Sequence, residues 1–389
     1  MIKQSLRRIV YITLAISLFL PTLAMAEESQ VNLAESAKSA ILIERDTGTI
    51  LYDKNSDEKL PPASMTKIMT MTLIMESIDN GSLTLDEKVR TSEYAASMGG
   101  SQIFLEAGEE MTVEEMLKGI AIASGNDASV AMAERIAGSE EAFVKMMNQK
   151  VKDLGLKNTN FVNPTGLPAE NHYSTAHDMA LMSKELLKYE LITKFTSLYE
   201  DYLRQDTDKK FWLVNTNKLV KFYPGVDGLK TGFTREAMYC LTATAKKDNM
   251  RVVAVVMGAP TPKERNAQVS KMLDYAFSHY KTHPMLDRLA IVGKIKISKG
   301  SKKFVDVVTS ESISVLTKKG ETVDDVTQEV VLNDNVQAPV KKGDEVGMLR
   351  LKRSDKSIVE SPIVAAEDIE MANWWQLFKR TFGAFTKTA

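Results

Sequence analysis

Apolar positions along the chain change their period several times, and each change marks a predicted element. Ile41-Leu42-Ile43 and Thr49-Ile50-Leu51-Tyr52 flank the turn-forming Arg45-Asp46-Thr47-Gly48, which predicts a hairpin. From Ile68 the spacing becomes three and four, through Met71, Met75 and Ile78, and predicts a helix packed into a core. Val113 to Ile122 has the same pattern; Ser124-Gly125-Asn126 breaks it, and Ala128 to Ile136 resumes it. Asn160 to Leu167 is rich in turn formers, and Ser174-Thr175-Ala176-His177-Asp178 has the form of a capped helix start. Gly228 to Thr234, Met238 to Ala245 and Arg251 to Gly258 are β-rich runs separated by polar turns, an antiparallel meander followed by a helix over Lys263 to Tyr280. The expected first domain, 33–284, is therefore α/β (α+β): a central antiparallel sheet with strands from both ends of the domain, flanked by helices.

Beyond 284 the character changes. Ile295/Ile297, Val305/Val307, Ile313/Val315, Val326/Val330 and Val336/Val340 alternate with polar residues between turn signals, which predicts a small all-β domain over 285–366. It holds no set of catalytic residue types, so a spacer or partner-binding role is expected of it. Over 367–389, Met371, Trp374, Trp375, Phe378, Phe382 and Phe385 recur at helical spacing among Lys379, Arg380 and Lys387. That segment is too short and too charged to span a bilayer and suits an amphipathic helix lying in a membrane interface; docking on its own protein is the alternative. At the other end, Lys3, Arg7 and Arg8 precede the apolar run Ile9 to Leu20 and then Ala24-Met25-Ala26. Residues 1–26 thus have the pattern of a cleaved export signal, with a retained anchor as the alternative; on either reading the remainder crosses a membrane.

Composition adds exclusions. With a formal charge of −1 there is no basic excess to suggest nucleic acid. The single cysteine, Cys240, cannot form an intramolecular disulfide and lies in a strand-like run as a small apolar residue. Of four histidines, His279 and His283 stand four apart without the glutamate of H-E-x-x-H, which argues against a zinc hydrolase; His172 and His177 are expected to be structural.

The candidate chemistry begins at Ser64-x-x-Lys67, one helical turn, which brings the serine hydroxyl within reach of the lysine amine. A lysine leaving an apolar surface loses proton affinity and gains the capacity to act as a base. Alone, the tetrapeptide also fits a serine cap followed by a surface lysine. Ser124-Gly125-Asn126 and Lys230-Thr231-Gly232 follow it in order, and the three motifs together are far more specific.

With their flanks, Pro62-Ala63-Ser64-Met65-Thr66-Lys67-Ile68-Met69-Thr70, Ser124-Gly125-Asn126-Asp127-Ala128 and Asp227-Gly228-Leu229-Lys230-Thr231-Gly232-Phe233-Thr234, the chain resembles the serine D-alanyl-D-alanine carboxypeptidases, the low-molecular-weight penicillin-binding proteins, over nearly its whole length. The resemblance implies that Ser64 is the acylated nucleophile and Lys67 its base. It implies a proton relay through Ser124 and Lys230, and a grip on the substrate amide by Asn126. The strand Lys230 to Thr234, with Gly232 in its middle, would take the peptide as an added strand. Backbone N–H groups of Ser64 and Phe233 would form the oxyanion hole, and Thr231 with Arg251 would bind the terminal carboxylate. The implied partners are a peptidoglycan stem peptide ending in D-Ala-D-Ala, β-lactams as covalent inhibitors, and the extracytoplasmic membrane surface through the tail, with no metal or cofactor. Met238 departs from a position where the family usually has glycine, which puts packing beside the strand and catalytic rate in question. A β-lactamase shares the three motifs but not the β-rich domain and tail. A scaffold that has lost activity is the non-enzymatic alternative, with Met238 as its sole support.

Overall fold

The computed structural model describes residues 31–375, and from Ala34 onward the described chain forms one compact unit. Strands β1 (Ser39–Glu44) and β2 (Ile50–Lys54) form the expected hairpin. A 3₁₀ turn, Ala63–Thr66, feeds helix α1 (Lys67–Asp79), and α2 (Val113–Ala123), α3 (Asn126–Ala137), α4 (Glu140–Asp153) and α5 (Ala176–Leu186) follow. The meander is β3 (Val226–Thr234), β4 (Met238–Lys247) and β5 (Met250–Ala259), closed by α6 (Pro262–His279). The five strands make one antiparallel sheet in the order β2-β1-β5-β4-β3, so strands from both ends of the domain share it and β3 is an edge.

Local chemistry explains the element ends. Thr112 and Glu115 form a reciprocal capping box at the start of α2, and Thr175 and Thr261 accept backbone N–H groups at the starts of α5 and α6. β1 is buried on both faces, because α5 packs on one side of the sheet and α6 on the other side of β4 and β5. Helix α1 is buried nearly all round, Lys67 to Met75 without interruption, so the three-four stripe marks only part of its covered surface. Its polar side chains are satisfied within the core: Thr72 donates to Ile68 O and Thr70 to Pro164 O.

The β-rich domain begins earlier than 285. β6 (Tyr280–Leu286) pairs with β9 (Ile313–Lys318), and β7 (Ile291–Lys296), β8 (Phe304–Thr309), β10 (Val326–Leu332), β11 (Glu345–Arg353) and β12 (Lys356–Ala365) form a sheet in the order β7-β8-β12-β11-β10. Val336 to Val340 is not a strand of that sheet; only isolated bridges tie it, Gln337 to Ser298 and Val340 to Ile369. Ile369 is buried in this domain's core and Met371 bridges Gly300, so the domain runs past 366 and helix starts at Trp374. The rest of the expected tail, including Phe378, Phe382 and Phe385, and the expected export signal lie outside the described residues. Ser314 donates to Asp46 at 2.6 Å and Thr282 to Glu44 at 3.2 Å, fastening the β-rich domain to the β1–β2 turn.

Candidate active site

Pro62 leads into the 3₁₀ turn, which places Ser64 three residues before the first residue of α1 and leaves it partly exposed. Lys67, the first residue of α1, is fully buried beneath it. Its Nζ lies 3.2 Å from Ser64 Oγ, 2.6 Å from Asn126 Oδ1 and 2.7 Å from Thr165 O. Burial, and then the like charge of Lys230, hold its pKa well below the usual lysine value, while the nearby Asp127 pulls the other way. A neutral amine has two N–H groups and one lone pair. With Asn126 Oδ1 and Thr165 O as acceptors for the two N–H groups, the lone pair faces the serine hydroxyl, the geometry of a general base.

Ser124 ends α2 in the left-handed region, φ +65°, and its Oγ is buried without a hydrogen-bond partner among the described residues. Two residues on, Asn126 opens α3, donates to Gly99 O, and takes the bond from Lys67. Asp127 accepts from the backbone N–H groups of Ile103 and Leu105, which fixes the loop above the cleft. The loop below is shaped by Gly166: at φ +80°, a Cβ there would stand 1.8 Å from Ala63 O. His172 accepts from Val162 N–H at Nδ1, so its Nε2 donates to Thr66 Oγ1; burial lowers its pKa to about 4. His172 thus has a structural role.

The edge strand β3 closes the other side. Gly232 is required by close approach, since a Cβ on it would lie 2.7 Å from Pro62 O in the turn that carries Ser64. Lys230 is buried, donates to Thr231 O, and has its pKa lowered to about 7 by burial and by Arg265. Thr231 donates to Thr216, and the exposed ring of Phe233 stacks on Tyr239 with centroids 4.5 Å apart. Met238, paired with Thr234 across the turn, has φ +56°, the conformation glycine adopts freely.

Arg251 is not brought to this site. Lys230 pairs with Thr242, which pairs with Val255, whereas Arg251 pairs with Lys246 at the far end of the hairpin. The separation is four residues, or about 13 Å of strand. There its guanidinium grips Asp227 through two bonds of 2.7 and 2.8 Å. The cation on the active-site side is Arg265, in the first turn of α6, 6 % exposed and near enough to depress the pKa of Lys230. Among the described residues its guanidinium bonds the amide oxygen of Asn266 and meets no carboxylate. No sequence pattern singles out Arg265, because a charged residue near a helix start is ordinarily solvated.

The family model for D-alanyl-D-alanine carboxypeptidase matches residues 25–261. The chain belongs to that family. The model for the C-terminal domain of penicillin-binding protein 5 matches residues 280–371, in keeping with a β-rich domain that starts before 285 and includes Ile369. The D-alanyl-D-alanine carboxypeptidase DacF of Bacillus subtilis is 67 % identical over 355 residues, 91 % of each chain. Among solved structures, penicillin binding protein 5 from Haemophilus influenzae is similar with a TM-score of 0.66 at 31 % identity, covering 86 % of this carboxypeptidase-family chain and 98 % of that one. Penicillin-Binding Protein D2 from Listeria monocytogenes, in the ampicillin bound form, covers 62 % of this chain and 98 % of its own, with a TM-score of 0.56 at 32 % identity.

Proposed function

We propose that this D-alanyl-D-alanine carboxypeptidase removes the terminal D-alanine of peptidoglycan stem peptides through an acyl-enzyme on Ser64. The observation that carries the residue assignment is the buried pocket in which Lys67 faces Ser64 with both of its other acceptors supplied by protein. Lys67 takes the hydroxyl proton as Oγ attacks the carbonyl carbon of the penultimate D-alanine. The negative oxygen that forms is received by the backbone N–H groups of Ser64 and Phe233. Ser124, whose buried Oγ has no hydrogen-bond partner among the described residues, passes a proton from the Lys67–Lys230 side to the leaving amine, and water then cleaves the ester. β-Lactams take the same route as far as the acyl-enzyme. The substrate strand lies along the free edge of β3.

Arg265 with Thr231 replaces Arg251 as the clamp for the terminal carboxylate: a buried guanidinium without an acid partner is costly unless an anion arrives. The protein works outside the cytoplasmic membrane, held to its surface by the helix that begins at Trp374 and Trp375, whose rings are 71 and 54 % exposed and stacked on each other. The test compares a peptide ending in D-Ala-D-Ala acid with its amide. Arg265→Ala lowers kcat/KM on the acid at least about tenfold more than on the amide, since only the acid makes a charged hydrogen bond to the guanidinium. Arg251→Ala leaves the acid-to-amide ratio at the wild-type value. The reverse pattern would restore Arg251 to the site.

A further inference from the structure

In the β-rich domain, β7 turns into β8 through residues 297–303, and this turn is fastened to the segment that leads into the helix at Trp374. Ser301 N–H donates to Glu370 O and Ala372 N–H to Lys299 O, each at 2.7 Å, and Gly300 bridges Met371. Ala372 stands two residues before Trp374, at most about 7 Å of chain, so the turn and the first two indole rings share one end of the domain. The length of β7 separates the turn from Arg288, which pairs with Asp79 of α1 in the catalytic domain.

Charge and apolar surface meet at this end. Residues 296–304 carry four lysines, all exposed, and no acid. On the facing segment, Glu367 pairs with Lys302, and Asp368 accepts the backbone N–H of Lys342. That leaves Lys296, Lys299 and Lys303 in no ion pair among the described residues, with the exposed Glu370 as the remaining carboxylate. Phe304 is 50 % and Met371 59 % exposed, and the Lys303 ammonium lies 5.5 Å from the centroid of the Phe304 ring. Exposed apolar side chains set among unpaired ammonium groups suit a lipid surface, where the rings enter the interface and the ammonium groups meet phosphates. We propose that this turn is a second membrane contact: Lys296, Lys299 and Lys303 bind the headgroups of anionic phospholipids, and Phe304 and Met371 enter the interface beside the tail. The proposal rests on the membrane attachment through the tail proposed above. A lysine near an anionic leaflet strengthens binding about fivefold, so the three reinforce the tail without holding the protein to a membrane by themselves.

The test uses the chain from Glu27 to Ala389 and two vesicle preparations, phosphatidylcholine alone and phosphatidylcholine with phosphatidylglycerol in equal parts. Wild-type protein binds the anionic vesicles more tightly, and the excess shrinks as salt is raised. Lys296→Gln/Lys299→Gln/Lys303→Gln weakens binding to the anionic vesicles at least about tenfold and leaves binding to phosphatidylcholine alone, melting temperature and acylation by penicillin at their wild-type values. Lys247→Gln/Lys318→Gln/Lys319→Gln removes the same charge from exposed positions at the β4–β5 turn and beside the end of α6, and leaves both affinities unchanged. An equal loss in the two triple variants, or no loss in the first, overturns the turn contact while leaving attachment through the tail intact. Wild-type protein that binds neither preparation would sink the tail reading and the turn contact with it.

Discussion

Lys67 illustrates how a single side chain acquires its role from its acceptors. Asn126 Oδ1 and Thr165 O are neutral oxygens, so they orient the amine without supplying the negative charge that would hold a proton on it. The base acts only when neutral, so kcat/KM for acylation falls as pH drops through the lowered pKa of Lys67 and rises above it. Asn126→Asp places a carboxylate against Nζ, favours the ammonium, and moves that limb upward by about one pH unit or more, read from acylation rates against pH. An unmoved limb would mean that another group is the base. The two arginines show what register adds to sequence. The three motifs were legible because their spacing alone brings chemistry together, whereas Arg251 looked adjacent to the catalytic strand merely by lying on the next hairpin. Counting back from the two-residue turn at Asp248-Asn249 puts it opposite Lys246, remote from Lys230. Arg265 reaches the site from a helix, which no strand pattern indicates.

At the level of elements, β3 combines an unpaired edge, a glycine pressed against the nucleophile turn, and a connection to β4 through a methionine in a left-handed conformation. A side chain at φ +56° costs about 1–2 kcal/mol, and glycine gives back part of this through its larger entropy when unfolded. Met238→Gly is thus expected to stabilise the protein by about 0.5–1 kcal/mol, measured by denaturant midpoint at unchanged slope. A loss of stability would show that the methionine side chain packs strongly enough to outweigh its backbone. Most strands and helices followed from periodicity, but the β11–β12 hairpin did not. Its buried Val346, Leu349 and Leu351 alternate with Arg350 and Lys352, and the charged members hid the pattern. Val336 and Val340 are apolar at strand spacing, yet Ala338-Pro339 between them leaves the segment tied by isolated bridges alone.

For the whole molecule, the two domains have separate cores and are fastened through Glu44 and Asp46, on the hairpin farthest in the sheet from β3. Catalysis on a soluble peptide is therefore expected to draw on the first domain, and the proposed membrane attachment on the tail. Deletion from Trp374 onward is expected to release the protein from membranes after export with activity on soluble peptide unchanged. Deletion from Asp368 also removes Ile369 from the core of the β-rich domain, so it lowers the melting temperature as well. Sedimentation with membranes and thermal unfolding read the two effects separately. A protein truncated at Trp374 that still sediments with membranes would place the anchor elsewhere.

The proposed mechanism turns on one bond, the ester to Ser64 Oγ. Intact-protein mass spectrometry after mixing with penicillin tests it most directly, with peptide mapping to locate the adduct. Wild-type protein is expected to gain one penicilloyl mass on the peptide containing Ser64, and Ser64→Ala to gain none. A penicilloyl mass on Ser64→Ala, or an adduct mapped to any other residue of the wild type, would contradict it.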